Sequence, residues 1–317
     1  MTRRGRGLLV QAALAAALLL ALGALAWNTA QNLEARKIAS GFAFLWREAG
    51  FEIGESAFLA YSAADNYLRA LAVGLGNTFR VAAIGVVLAT VLGAVLGLAR
   101  LSPNWLLARL AALYVEVLRN VPLLVQLFFW YALISETLPG PESALNPLPG
   151  VFLSNRGIFF PLPGNWPELS GFNFAGGASL SPEFATLLVG LVTYTAAFIA
   201  EIVRAGILSV PRGQVEAARS LGLGRRDALR FVVAPLALRL MVPPMTSQYL
   251  NLTKNSSLAV AIGYPDLVSI ANTTMNQTGQ AIEGVAIIMA VFLTLSLSLS
   301  AFMNWYNRRV ALRGVAA

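Results

Sequence analysis

Six stretches of this chain are apolar over about twenty residues or more, and that pattern leaves few folds open. In hydrocarbon each backbone N–H and C=O must be satisfied within its own segment, so such stretches read as membrane-crossing helices. They run approximately over Leu8 to Trp27, Leu71 to Leu98, Leu110 to Ser135, Phe184 to Leu208, Phe231 to Leu252 and Val285 to Trp305. Composition agrees: with 57% hydrophobic and 12% charged residues, a water-facing globule would carry large exposed apolar patches. The expected fold class is an all-α, multi-pass integral membrane protein with about six transmembrane helices and both termini on one side.

Lys and Arg set the orientation, because cytoplasmic loops retain them in excess. Arg3, Arg4, Arg6, Arg100, Arg109, Arg212, Arg219, Arg225, Arg226, Arg230, Arg308, Arg309 and Arg313 fall on one side of a six-span arrangement, thirteen of twenty-three basic residues. The opposite loops hold Arg36, Lys37, Arg47 and Arg156. Both termini are therefore expected in the cytoplasm. The first span also fits a cleavable signal peptide, with its basic start and Ala24-Leu25-Ala26, but its apolar run of about 19 residues exceeds the usual signal core and favours a retained anchor. Residues 1–68 read as this anchor plus an extracytoplasmic loop, and 69–317 as the main transmembrane domain.

The net charge of +8 is spread in short clusters between apolar runs, unlike the concentrated basic face of a nucleic-acid binder. Cysteine and histidine are both absent, which removes disulfides, thiol catalysis, imidazole chemistry and Cys/His metal sites. No Gly-x-x-x-x-Gly-Lys-Ser/Thr phosphate loop occurs. The expectation is no catalytic residue, no metal and no cofactor. The insertion 136–183 holds eight of the fifteen prolines and reads as too broken for a helix or a central strand. It fits an irregular extracytoplasmic connector or a docking surface for a soluble partner, with its aromatics as anchors.

The loop 209–230 reads SVPRGQVEAARSLGLGRRDALR. Pro211 and Gly213 break the outgoing helix, Gln214 to Ser220 forms a short one, Gly222 and Gly224 end it, and Asp227 begins the next. Ala217 and Ala218 allow another backbone to approach, Glu216 offers an anion and Arg219 a donor fork. Glu216-Ala217-Ala218, then Gly222, Val232 and Pro235 resemble the EAA loop of ABC importer permeases, with Val232 and Ala234 where that pattern has Ile and Leu. The resemblance implies a MetI-like permease core whose loop seats in cytoplasmic ATP-binding subunits, so that ATP is used by a partner. YVEVLRNVPLLVQLFFWY at Tyr114 to Tyr131 resembles the signature of the polar amino-acid permeases (His, Glu, Gln, Arg, opines). The first span, GFAFL at Gly41 to Leu45 and the insertion are similar to a general L-amino-acid system. Implied partners are a second related permease or another copy of the chain, an extracytoplasmic amino-acid-binding protein and the bilayer of a bacterial inner membrane.

Arg119 has two possible tasks, binding a substrate carboxylate or pairing with Glu116 one turn earlier. Pro122 is expected to bend or break the third span and free backbone groups for a polar solute, with Gln126 on a similar face. Lys254, Asn255, Ser256 and Ser257 read as a polar turn at the outer end of the fifth span, either a gate or an interfacial loop with a snorkelling lysine. Glu201 faces Arg204 or Arg80. Gly85, Ala89, Gly93 and Gly97 make a stripe for close helix packing against another span or a partner permease. An ion-coupled secondary transporter is the rival reading; it would need ionisable groups at broken helices, and no inverted repeat supports it.

Overall fold

The computed structural model describes residues 3–35 and 40–310. Arg36, Lys37 and Arg313, used above for orientation, lie outside the described residues. Helix α1 (Arg3–Ala35) carries an apolar window, Val10–Thr29, in which no described side chain is buried. Helix α2 (Tyr67–Ala99) starts at Asn66, whose side-chain oxygen accepts the Arg69 N–H at 2.9 Å and satisfies one of the first-turn donors. Next come α3 (Trp105–Asn120) and α4 (Leu123–Ala132), the latter extended by a π-helical turn over Leu133–Thr137. Helix α5 (Pro182–Leu208) has Ser181 as its cap and Pro182 in its first turn, where a missing N–H costs nothing. Then follow the short α6 (Arg212–Ser220) and α7 (Arg225–Ala228), the long α8 (Ala234–Asn255), α9 (Leu267–Thr278) and α10 (Ala281–Val310). Among the described residues five helices or helix runs are long and apolar enough to cross a bilayer, and the α3–α4 pair, bent by 104°, makes a sixth when counted as one broken span.

The glycine stripe organises the centre. A Cβ on Gly93 would lie 2.6 Å from Ile199 Cβ, and one on Gly97 would lie 2.7 Å from Ala200 O, so α2 and α5 touch backbone to side chain. Gly85 meets Leu252 of α8 in the same way. The stripe therefore packs within this chain.

The insertion corrects the expectation of an irregular connector. It holds six short strands: β1 (Leu145–Leu148), β2 (Val151–Ser154), β3 (Gly157–Phe160), β4 (Glu168–Ser170), β5 (Asn173–Ala175) and β6 (Ala178–Leu180). An antiparallel sheet runs β1-β2-β3-β6, and β4-β5 is a separate hairpin. Proline and glycine do not forbid strands this short. Pro147 sits on the edge strand β1, and Pro149-Gly150, Asn155-Arg156 and Gly171-Phe172 supply the two-residue turns. Since α5 separates the sheet from α6, the two lie at opposite ends of the bundle.

Residues 40–66 form a strap across the sheet end. Its 3₁₀ turn Phe42–Trp46 buries Phe44 among Tyr67, Leu71, Leu267 and Ile270. Glu55 pairs with Arg80 of α2 at 2.5 Å and accepts from Ser181 Oγ at 2.6 Å, while Asn77 Nδ2 donates to Glu55 O and Pro265 O, both at 2.8 Å.

Candidate coupling loop and transport path

Helix α6 is amphipathic and half embedded. Val215 packs into an apolar cluster with Val210, Val233, Met241 and Ile199, which joins α6 to α5 and α8. Ala218 is only 4% exposed, so it faces its own chain and is not open to another protein's backbone. The reason is helical geometry: Val215 and Ala218, three apart, share a face, whereas Glu216 and Ala217 point away from it; both are exposed, as is Arg219 at the edge of the buried face. Glu216 and Arg219 make no ion pair among the described residues. Gly213 lies inside α6 and does not end α5, which stops at Leu208. The far end closes as a Schellman motif: the Gly222 N–H donates to Arg219 O at 2.9 Å, the Leu223 N–H donates to Ala218 O at 3.1 Å, and Gly222 holds φ 82.

Pro122 stands at the break between α3 and α4, as its ring requires. The freed carbonyls are met from within. Gln126 Nε2 donates to Leu118 O and Val121 O, each at 2.9 Å, and the residue is buried. Gln126 thus caps the broken helix, and its Oε1 has no partner among the described residues.

Arg119 does not pair with Glu116. Its guanidinium lies over the Phe198 ring, 5.0 Å from the centroid, on the wall of a cavity of about 460 Å³ that Glu116, Asn120 and Glu201 also line. Glu201 bridges two arginines, Arg204 at 2.5 Å and Arg100; Arg80 is held elsewhere by Glu55.

The segment Lys254 to Ser257 is helical and not an open turn, inside the apolar helix run 225–262. Helix α8 continues into a 3₁₀ stretch, Ser256–Ile262, that ends on Gly263 at φ 80. Ser256 is fully buried with its Oγ donating to Thr253 O at 2.7 Å, and Ser257 Oγ donates to Lys254 O at 2.8 Å. Both hydroxyls are occupied locally. Lys254 is exposed, and because Leu252 meets Gly85, it stands beside the middle third of α2.

Asp266 was not singled out from sequence. It caps α9, accepting the Ser269 N–H at 2.8 Å, while its Oδ2 is buried without a partner. Burial is the main cause, and it pushes the carboxyl up to about 7 against the N–H bonds that lower it. An isolated Asp before an apolar stretch reads as a helix cap, and nothing in the sequence marks its depth.

The comparisons agree with this geometry. Residues 67–312 match the family described as binding-protein-dependent transport system inner membrane component. The chain is similar to the general L-amino acid transport system permease protein AapQ of Rhizobium johnstonii, 42% identical over 90% of this chain and 88% of that one. It also resembles the crystal structure of an amino acid ABC transporter with histidines, with TM-score 0.57 and 27% identity over 77% of this chain and 95% of that chain. The MetNI methionine ABC transporter in an inward-facing conformation shares the fold, with TM-score 0.54 at 17% identity over 77% of this chain and 98% of that chain. A helical bundle with a half-embedded amphipathic helix at one end, matched over that whole bundle, places this chain among the inner-membrane components of binding-protein-dependent transport systems.

Proposed function

We infer that the chain is the permease subunit of an ATP-driven importer for amino acids in a bacterial inner membrane, with α6 and both termini in the cytoplasm. One observation carries this reading. Glu216 and Ala217 present a bare face of α6, with exposed Arg219 at its edge, while Val215 and Ala218 lock the other side into the helices that cross the membrane. Such a helix transmits the movement of whatever seats its bare face. In this reading the seat is a groove in a cytoplasmic ATP-binding subunit, which performs the hydrolysis, and closure of two such subunits switches a pair of permeases between outward and inward access. The partner permease is a related chain or a second copy, and a soluble receptor brings the amino acid. The names of AapQ and of the histidine-containing transporter support amino acids as the solute class.

The solute path in this reading runs past Arg119 and Lys254. A charge near the bilayer centre costs ~2.5–3.5 kcal/mol on insertion scales unless it meets protein or water, and both side chains point out of this chain's own core. Gln126, Ser256 and Ser257 stay with their backbone duties.

The test is receptor-stimulated ATP hydrolysis in proteoliposomes holding this chain, its partner permease, the ATPase and the receptor, with and without Glu216→Lys. Stimulation is expected to drop at least about tenfold, since a like-charge or desolvated contact at such a seat costs more than 1.4 kcal/mol. Unchanged stimulation would overturn the coupling role. Amino-acid uptake by the permeases alone would favour the ion-coupled rival.

A further inference from the structure

The insertion carries an apolar surface that neither the bundle nor the sheet uses. Hairpin β4–β5 turns at Gly171-Phe172, with Gly171 at φ 62, and raises Phe172 to 88% exposure at its tip. Near its base Trp166 is 55% exposed, its ring lying against Gly150, where a Cβ would come within 2.6 Å. Leu169 between them is exposed too. These side chains stand on a stiff platform. Phe174 stacks on Phe152 at 4.5 Å and leans on Phe159 at 4.9 Å, and Asn165 Oδ1 accepts the Gly177 N–H at 3.1 Å. Trp166, whose ring already lies against Gly150, loses little freedom when a partner covers it.

Charge selects the occupant. Glu142 and Glu168 are exposed in the insertion, and Glu52 and Glu183 line a polar cavity at the same end of the bundle. Among the described residues the exposed cations there are Arg47, Arg156 and Arg69, and Arg69 is paired with Asp65. Carboxylates interleaved with apolar groups oppose entry into a bilayer, where each would have to be desolvated. They suit a water-soluble protein that offers an apolar pocket with a basic rim, for which opposite charge also speeds encounter.

We propose that Trp166, Leu169 and Phe172 form the docking surface for the soluble receptor that delivers the solute, an inference that rests on the importer reading above. The chain has no cysteine, so Phe172→Cys gives a single labelling site in the complete reconstituted complex. A polarity-sensitive label there is expected to report water before the receptor is added and shielding afterwards. In parallel, Trp166→Ser with Phe172→Ser is expected to raise the receptor concentration for half-maximal ATPase stimulation about tenfold, the size of a modest hot spot. The maximal rate should be unchanged, which also shows that the variant is folded. The proposal is overturned if the variant titrates like the wild type, if brominated lipid quenches the label without receptor, or if a partner permease already shields it. Should wild-type complex show no receptor stimulation, the importer reading fails by itself; failure of the label to respond to receptor then removes the docking surface as well.

Discussion

Gly93 and Ile199 approach so closely that a single added carbon on Gly93 would sit 2.6 Å from the Ile199 Cβ. Contact at that distance needs the helices to move apart, since the neighbouring obstacle is the Ala196 carbonyl at 2.9 Å and not a flexible side-chain end. Gly93→Leu is expected to destabilise the α2–α5 pair by about 1–3 kcal/mol or more, read as a lower unfolding temperature in detergent. A Gly140→Leu control, with open space around it, should change little. Equal melting of both variants would contradict the close approach.

Gln126 closes the gap that Pro122 opens. Gln126→Leu keeps the volume and strips the two N–H donors from Leu118 O and Val121 O, which would leave buried acceptors without partners at about 1–3 kcal/mol of cost. Thermal unfolding of the purified complex should register the loss. Gln126→Glu should be worse, because it brings a buried charge with no donors to offer. A Leu variant that melts like the wild type but transports poorly would return Gln126 to the list of solute-path residues.

Gly222 holds φ 82 in open space, so Gly222→Ala introduces backbone strain of about 1–2 kcal/mol without a clash. The strain falls on the Schellman end of α6. The expected outcome is a complex that assembles normally while its receptor-stimulated ATPase falls severalfold, measured against an unchanged amount of bound ATPase.

Asp266 gives a pH dependence of definite sign. Its carboxyl sits near 7 when folded, against 3.8 as the reference for the open chain, so the folded protein holds the proton longer. Folding stability contributed by this group is complete below the reference value, declines as pH rises through the window from about 4 to about 7, and is flat above it. Asp266→Asn keeps the cap oxygen and cannot ionise. It should flatten that part of a melting-temperature profile and be the more stable protein above pH 7. A variant that retains the wild-type slope would assign the dependence to another group.

The sequence made some of this legible and hid the rest for identifiable reasons. Apolar length located the spans, and Pro122 announced its break, because both signals are local. The α6 helix and its Gly222 terminus were equally readable from Pro, Gly and capping chemistry. The burial of Ala218 was not, since it depends on which side of a nine-residue helix meets the turn Leu229–Val233 that leads into α8. Strands of three or four residues, such as β4 and β5, offer too short an alternation to be seen among prolines. Arg80 with Glu55, and Arg100 with Glu201, are pairings across 25 and 101 residues of chain, beyond any spacing rule.

The apolar cluster that holds Val215 also contains Ala82 and Ala89 of α2, Ile199 and Val203 of α5, and Ala237, Met241 and Leu252 of α8. Interiors packed at crystal-like density compress very little. In the importer reading, a push on α6 would therefore find no soft layer in which to be absorbed, and the four helices would respond as one solid piece, more gear tooth than spring. Substitutions that loosen this cluster, even well inside the membrane, would introduce mechanical backlash: the short helix would travel before the long ones began to move.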